Sequence, residues 1–352
     1  MNARRVTGLL LAGLMVIAFA IWLSSLRHLE RATLSGDLVL PGLEHGVNSV
    51  TEVRLRKADD THATLKRADA GSWTVSERNW PAQVSRVRKL LLDLGALNVV
   101  EEKTHLPGNY PALGVEDLST PKASGTEVSV VAPAHTWTLI VGKPAGGKSG
   151  YVRLANSPTS VLAAPLVSVT ADPKAWLDTA LIDLPAERVR EIEERPADGV
   201  GASYSASRQK TDDAHFSVSA IPKGRELSAP SAADSLGAAL SGLTLEDVAK
   251  APTPGAPAAH AVFRTFDGLE VQVSGRKDGA RSLITLDAHA AQASADEQAQ
   301  KLAARLSGWE FEIPDYKYAA IFTPLTDLLK PLPPAKKAAP RPPPTPNTPG
   351  PQ

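Results

Sequence analysis

The sequence predicts an α+β protein in which two similar antiparallel-sheet-plus-helix units follow an N-terminal transmembrane helix. Three observations lead to this prediction. The stretch from Val6 to Leu26 carries no charged side chain, several short segments alternate between apolar and polar residues as half-buried strands do, and the order of these segments recurs once further along the chain. The predicted divisions are a cytoplasmic tail and anchor (1–28), a linker (29–48), a first unit (49–182), a second unit (183–330) and a proline-rich tail (331–352).

The apolar stretch from Val6 to Leu26 has about the length that a helix needs to cross a hydrocarbon core of roughly 30 Å. Two arginines precede it and two more follow within five residues, so the positive-inside rule modestly favours an N-terminus inside the cell. The alternative is a signal peptide cleaved after Ala20, at the small-x-small sequence Ala18-Phe19-Ala20. The apolar run continues beyond Ala20, which favours a retained single-pass anchor in the inner (cytoplasmic) membrane. Both interpretations place the bulk of the chain outside the cytoplasm.

Composition excludes several classes of function. The chain has 38 basic and 38 acidic residues, so no global positive field draws it to nucleic acid. It has no cysteine, which excludes disulfides, thiolate zinc sites and cysteine nucleophiles. Aromatic residues make up only 5% of the chain, so the predicted core is mainly aliphatic.

The first unit is predicted to contain a sheet and one clear amphipathic helix. The helix is introduced by Pro81, and Val84, Val87, Leu91 and Leu94 fall on one face at three- and four-residue steps. Further helical segments are expected at 166–170 and 174–181. Strands are predicted at 50–57, 61–67, 72–76, 97–101, 151–154 and 160–163, with a hairpin made by 126–132 and 136–141.

The second unit repeats this order. Residues 216–219 match 73–76 at an offset of 143, and Leu236, Leu240 and Leu243 match Leu90, Leu94 and Leu97 at an offset of 146. Residues 269–273 and 283–286 match 137–141 and 151–154 at one shared offset of 132. Matching apolar positions is a permissive criterion, but three blocks in one order favour an internal duplication.

The end of the second unit has its own predicted elements. These are an alanine-rich helix at 296–306, a strand at 309–313 and a final helix at 316–329 that Pro324 interrupts. From residue 331 the chain is rich in proline and has no acidic residue, which predicts an extended, disordered tail. That tail is interpreted as a spacer, a docking peptide or a solvated terminus.

One motif matches a catalytic pattern. Residues 142–149 fit the phosphate-binding P-loop, with Gly142, Gly147, Lys148 and Ser149 at the defining positions. A P-loop requires a helix that begins at the lysine, because the amides of that helix N-terminus hold the phosphates. The residues that follow Ser149 have strand character instead, so we interpret the motif as a hairpin turn.

Other chemical motifs lack a credible context. The S-x-x-K matches at Ser119 and Ser207 show no sign of opening a buried helix. The eight histidines have no pair at helical spacing. The acidic pairs Glu101-Glu102, Glu193-Glu194 and Asp212-Asp213 are interpreted as solvated surface. The sequence therefore predicts no catalytic, cofactor-binding or metal-binding residue, no cofactor, and no enzyme.

Several short motifs together resemble a known family. They are the tryptophan strand at Trp73, Trp80-Pro81-Ala82 before the helix, Tyr110-Pro111-Ala112-Leu113-Gly114-Val115, Leu139-Ile140-Val141-Gly142-Lys143, Tyr151-Val152-Arg153 and Trp309-Glu310-Phe311-Glu312-Ile313-Pro314. In these features the chain is similar to the domain-of-unknown-function family 4340. That resemblance implies an envelope accessory protein, because members are often encoded beside ABC transporter subunits of the gliding-motility or auxiliary-export type. It implies a hairpin at the Gly-Lys turn, and it supplies no catalytic residues.

Two functional hypotheses follow. The first is a non-enzymatic, membrane-anchored extracytoplasmic protein that contacts the lipid bilayer through Val6 to Leu26 and binds membrane-protein partners, with ABC transporter subunits the partners that the resemblance implies. The alternative is an envelope ligand-binding protein or hydrolase with a pocket between the two units.

Overall fold

The computed structural model describes Met15 and residues 36–68, 71–197, 201–252 and 258–331. Apart from Met15, the predicted anchor from Val6 to Leu26 lies outside these residues, as do the alternative cleavage site at Ala20 and the tail from residue 332. Within the described ranges, no helix is both long enough and apolar enough to cross a bilayer.

The described chain forms two compact units. The first contains the described residues up to Ala180 together with Leu245–Ala249, and the second contains Leu181–Thr244 and the described residues from Lys250 onward. Each unit has an antiparallel sheet and short helices, so the α+β prediction is confirmed.

The first unit is built on an antiparallel sheet of nine strands. They are β1 (Glu52–Arg56), β2 (His62–Arg67), β3 (Trp73–Val75), β4 (Trp80–Pro81), β5 (Asn98–Thr104), β6 (Thr126–Ala132), β7 (His135–Gly146), β8 (Ser149–Leu154) and β9 (Ser160–Ala164). In the described chain their order across the sheet is β4-β3-β2-β1-β6-β7-β8-β9-β5. Alternation places Val53 and Leu55 of β1 on the buried face beside Leu65 of β2.

The predicted amphipathic helix of the first unit is confirmed, with two corrections. It begins at Val84 rather than at Pro81, which lies in β4 and pairs with Thr74. Its buried residues are Val87, Leu90, Leu91, Leu94 and Gly95, whereas Val84, the first residue of the helix, is exposed. The helices of this unit are α1 (Leu43–Gly46), α2 (Val84–Gly95) and α3 (Tyr110–Leu113), with 3₁₀ turns at Val47–Ser49, Pro107–Asn109 and Pro173–Trp176.

The helices predicted at 166–170 and 174–181 are wrong. The first segment has no regular structure. The second is a single 3₁₀ turn at Pro173–Trp176, opened by Asp172, whose side chain accepts a hydrogen bond from the Lys174 amide. Trp176 is fully buried and its indole donates to the Thr170 carbonyl at 2.9 Å. Packing of Trp176 thus determines the backbone conformation of this segment. The apolar periodicity of the sequence does not reveal this packing.

The second unit is built on another antiparallel sheet. The remaining described strands are β10 (Ala180–Ile182), β11 (Val189–Arg195), β12 (Tyr204–Ser207), β13 (Ser217–Val218), β14 (Leu243–Thr244), β15 (Asp247–Lys250), β16 (Ala259–Thr265), β17 (Leu269–Asp278), β18 (Arg281–Ala290) and β19 (Trp309–Ile313). The sheet contains β13-β12-β11-β16-β17-β18-β19 in that order, and β10 pairs separately with β14. Val271, Val273 and Gly275 of β17 lie on its buried face.

Helices of the second unit pack against this sheet. The predicted helix at 296–306 and strand at 309–313 are confirmed residue for residue, and the final helix is interrupted at Pro324 as predicted. The helices are α4 (Asp234–Gly237), α5 (Asp296–Leu306), α6 (Asp315–Ile321) and α7 (Leu325–Leu328), with 3₁₀ turns at Ala186–Arg188 and Ala293–Ala295. Both α5 and α6 contact β18.

Candidate functional site

The P-loop-like residues lie in the hairpin between β7 and β8. Gly146 and Gly147 have φ angles of +97° and +59°, as a tight hairpin turn requires, and Ser149 begins β8 rather than a helix. Gly142 has a packing role, because a Cβ there would lie 2.4 Å from the Leu113 carbonyl oxygen. The geometry that would hold phosphates at a helix N-terminus is not formed at Lys148 and Ser149.

The remaining sequence motifs are also not assembled into sites. Ser119 lies in a turn and Ser207 ends β12, so neither opens a helix. Among the described residues, no group of three histidine, aspartate or glutamate side chains could hold a metal ion.

One cavity in the second unit combines apolar walls with a buried acid. Its volume is about 340 Å³. The carboxyl group comes from Glu194 near the end of β11, which stands opposite Tyr204 of β12 in the antiparallel register. The lining residues are Glu194, Pro196, Ala197, Tyr204, Ala259, Gly275, Arg276, Lys277, Tyr318, Phe322, Thr323 and Pro324.

Glu194 is the distinctive residue of this cavity. Only 3% of its surface is exposed, and its Oε1 has no hydrogen-bond partner in the described part of the chain. Burial raises the pKa of Glu194 to about 9, because an ionised carboxylate loses its hydration in an apolar environment. Near neutral pH this side chain is therefore a carboxylic acid, which donates one hydrogen bond and accepts others.

Tyr204 fixes the position of the wall beside Glu194. Its hydroxyl donates a hydrogen bond to the Thr323 carbonyl at 2.7 Å. Burial raises the pKa of Tyr204, and the nearby carboxyl groups of Glu194 and Asp327 add to this effect. The phenol therefore stays neutral and joins β12 to the chain that follows α6.

Two aromatic rings close the cavity over β17. Tyr318 and Phe322 have ring centroids 4.7 Å apart, and Phe322 lies so close to Gly275 that a Cβ at this glycine would be 2.2 Å from a ring carbon. Glycine is thus required here for the close approach of the rings. Lys277 places its ammonium group 4.5 Å from the centre of the Tyr318 ring.

The cationic residues at this cavity are already paired. Arg276 makes two hydrogen bonds of 2.8 Å to the carboxylate of Glu310. Lys277 forms an ion pair with Asp315 and donates to the Ser282 hydroxyl at 2.8 Å. The described residues of the wall therefore offer apolar surface, aromatic faces and one neutral acid, and no unpaired cation is among them.

The interpretation of Glu193-Glu194 as solvated surface is wrong for the second residue. Glu193 does face outward, where its carboxylate bonds Arg195 and Arg264. Glu194 shares the inward face of β11 with Ile192, as the two-residue period of a strand dictates. The alternation in Ile192-Glu193-Glu194 could have indicated that Glu194 shares a face with Ile192. The sequence alone does not show that other parts of the chain pack over that face of β11.

Comparison with known protein families assigns the chain to one of them. The family model whose description is "Domain of unknown function (DUF4340)" matches residues 73–262, more than half of the chain. The match runs from β3 into β16 and includes Glu194 and Tyr204. No curated protein and no solved structure matches the chain. The protein therefore belongs to the DUF4340 family.

Proposed function

We propose that this protein is a membrane-anchored extracytoplasmic binding protein whose second unit holds a small, largely apolar ligand. The observation that carries the proposal is the neutral, buried carboxyl group of Glu194 at a cavity of about 340 Å³. A mostly apolar pocket with a few convergent polar groups and a residue of perturbed pKa is the usual form of a small-molecule site.

The chemistry of the cavity defines the ligand class. A protonated carboxyl group donates a hydrogen bond, so the ligand carries an acceptor such as a carbonyl or ether oxygen. Among the described lining residues an anionic ligand meets no unpaired cation, because Arg276 and Lys277 form ion pairs with Glu310 and Asp315. The aromatic faces of Tyr318 and Phe322 suit the apolar body of a neutral molecule.

The lining favours binding over catalysis. General acid–base chemistry uses a second group of matched pKa near the acid. Here the neighbouring phenol of Tyr204 is already bonded to the Thr323 carbonyl, and the described residues that line the cavity include no serine, cysteine or histidine.

Photolabelling of the full-length protein in detergent with benzophenone tests the ligand proposal. Benzophenone is neutral and apolar, carries one carbonyl acceptor, and on irradiation inserts into nearby C–H bonds. We expect labelled peptides from α6 and Phe322. Loss of the donor in Glu194→Leu is expected to weaken labelling about tenfold, since a hydrogen bond of about 1.4 kcal/mol is a factor of ten in affinity.

Two further variants make this test specific. Glu194→Gln keeps a donor in the same place and should retain labelling, and Glu187→Gln changes an exposed glutamate of the same unit and should be neutral. Labelling that is scattered over both units, or equal in Glu194→Leu and in the unsubstituted protein, would refute a site at Glu194.

The membrane anchor rests on the uncharged stretch from Val6 to Leu26. With the N-terminus inside, protease added to intact spheroplasts should digest the two units and leave a short membrane-bound fragment. Full protection of the units would contradict the proposed orientation. Release of the whole protein from membranes by alkaline wash would instead support cleavage after Ala20.

Association with an ABC transporter is the partner proposal, and the family resemblance is its support. Crosslinking in intact cells, followed by purification from detergent and mass spectrometry, is expected to recover permease or ATPase subunits. Recovery of the protein alone, at native abundance, would remove the support for this partner.

An internal duplication is also proposed, and the strand orders support it. The first sheet contains the run β3-β2-β1-β6-β7-β8-β9, and the second contains the run β13-β12-β11-β16-β17-β18-β19. The sequence offset of 132 pairs β7 with β17 and β8 with β18. The main difference is α5, which joins β18 to β19 where a short turn joins β8 to β9. Superposition of the sheets in an experimental structure should give this register, and any other register would contradict a duplication.

A further inference from the structure

A second cavity lies in the first unit, in a region that is separate in sequence from the Glu194 cavity. It has a volume of about 520 Å³ and is formed by residues around α3 and the turn that follows β8. Rings of Pro107, Pro111 and Pro158 form part of its wall, and Tyr110, Glu116, Asp117, Thr120, Arg153, Asn156 and Ser157 also line it.

Among the residues that line this cavity, the one cation is Arg153, and each nitrogen of its guanidinium donates a hydrogen bond. It is 3% exposed. Its guanidinium donates to the Val115 carbonyl at 2.9 Å, to the Ser157 carbonyl at 3.1 Å and to Asp117 Oδ1 at 2.5 Å. Its central carbon lies 4.8 Å from the centre of the Tyr110 ring. The pair of Arg153 and Asp117 is therefore neutral as a whole and serves to hold the loop on β8.

Glu116 is left without a counter-charge. Only 7% of its surface is exposed, and its Oε2 is buried without a hydrogen-bond partner in the described ranges. Because Arg153 is neutralised by Asp117, the wall carries one negative charge in excess, and that charge belongs to Glu116. A buried carboxylate is rarely left unpaired, since removal from water is costly without a partner.

We propose that this cavity binds a cationic group on an aliphatic stem, either a free amine or guanidine or the basic side chain of a protein. The carboxylate of Glu116 supplies the charge partner. The proline rings supply apolar surface for a methylene stem, which lysine and arginine side chains bury while their charged ends find polar partners. The proposal concerns the first unit and does not depend on the ligand proposed for the Glu194 cavity.

Ligand-observed NMR on the full-length protein in detergent tests this proposal. The probes are acetyl-arginine amide and its uncharged isostere, acetyl-citrulline amide. We expect saturation transfer to the arginine compound and at least about tenfold weaker binding of the citrulline compound, since loss of a charge-assisted hydrogen bond of about 1.5 kcal/mol or more is at least a factor of ten.

Variants assign the binding to Glu116. Glu116→Gln is expected to weaken binding of the arginine compound about tenfold by the same reasoning, whereas Glu102→Gln, at an exposed glutamate of the same unit, should leave it unchanged. No detectable binding of the arginine compound, equal binding of the citrulline compound, or unchanged binding in Glu116→Gln would overturn the proposal. The comparison of the two probes on unsubstituted protein stands even if Glu116→Gln does not fold.

A further pair of probes separates the two sources of the cation. Butylguanidinium represents a free small molecule, and an Ala-Arg-Ala peptide with blocked ends represents a protein segment. Equal affinity for both would identify the cationic group and its stem as sufficient, whereas tighter binding of the peptide would identify a basic protein segment as the occupant. Failure of both to bind would exclude the site.

Discussion

Arg78 and Asp247 form a two-point ion pair although 169 residues separate them in the sequence, with Nε–Oδ1 and Nη2–Oδ2 distances of 2.6 and 3.2 Å. Asp247 also accepts a hydrogen bond from the Val248 amide at 2.8 Å and pairs with Lys174 at 3.1 Å. Burial of Asp247 opposes ionisation, but the bonds from Arg78, Val248 and Lys174 outweigh it and lower the pKa of this carboxyl group. The pair thus secures Leu245–Ala249 to the first unit.

Asp247→Asn should destabilise the first unit. The variant leaves the partly buried Arg78 guanidinium without the carboxylate that it pairs with, and hydrogen bonds to charged groups contribute about 1.5–3 kcal/mol each, so we expect a loss of about 2 kcal/mol at pH 7. Urea unfolding of the full-length protein provides the measurement. Asp212→Asn, at an exposed position, is the control.

The pH dependence of this loss has a definite sign. A lowered pKa in the folded state gives stability that is present above the ordinary aspartate pKa of about 3.9 and disappears as pH falls through the lowered value. The difference between Asp247→Asn and the unsubstituted protein should therefore shrink in acid. A loss that stays constant from neutral to strongly acidic pH would mean that the charge on Asp247 is not responsible.

Glu194→Gln should have the opposite effect, stabilising the second unit at neutral and alkaline pH. The pKa of Glu194 is raised to about 9 in the folded protein, against 4.5 for an ordinary glutamate. Between these two pH values the folded protein therefore keeps a proton on Glu194 that the unfolded chain has lost. Stability is lost as pH rises between these two values, by about 1.4 kcal/mol per pH unit at most. The glutamine amide does not titrate. The free energy of unfolding of Glu194→Gln relative to the unsubstituted protein should therefore increase from about pH 5 to pH 9. Urea unfolding at several pH values measures it, and a pH-independent difference would contradict burial of the acid.

Gly275→Ala should disrupt the aromatic cover of the Glu194 cavity. The new methyl group would lie 2.2 Å from Phe322, so the ring must move, and overpacking of this kind costs about 1–3 kcal/mol. Combining it with Phe322→Ala should relieve the clash, so that the two losses are less than additive in thermal unfolding. Gly108→Ala, at a glycine with open space around it, is the control, and equal effects at the two glycines would contradict the packing.

Neither the unsubstituted protein nor the Lys148→Ala variant should respond to nucleotide. Because Lys148 lies in the β7–β8 turn and no helix begins there, Mg–ATP is expected to give no thermal stabilisation to either protein. A shift in melting temperature that appears with Mg–ATP and disappears in Lys148→Ala would restore the P-loop interpretation.

The strands and long helices could be predicted because their periodicity is intrinsic to the sequence. The helix at 296–306 follows from its alanine-rich composition, and the hairpin from β6 to β7 follows from apolar alternation. The segment at 174–181 could not, because the burial of Trp176 and the Asp172 cap override its helical pattern. Local propensity is a weak prior where one large side chain has a pocket to fill.

The candidate sites could be predicted only in part. Strand alternation places Glu194 on the same face as Ile192, but whether that face is covered depends on Tyr318 and Phe322, more than 100 residues further on. Glu116 lies in a loop, where no periodicity exists. Glu116 lacks a charge partner because Arg153 is paired with Asp117. That pairing is a tertiary contact, so the sequence does not reveal it.

The assignment of Leu245–Ala249 to the first unit has a consequence for biogenesis. A chain is synthesised from its N-terminus, so the first unit cannot complete its contacts until the strands β11 to β14 have also left the ribosome. Until then Arg78 cannot form its ion pair with Asp247. A polypeptide that ended at Ala180 would never form this pair. Completion of the first unit therefore depends on synthesis of the chain as far as Ala249.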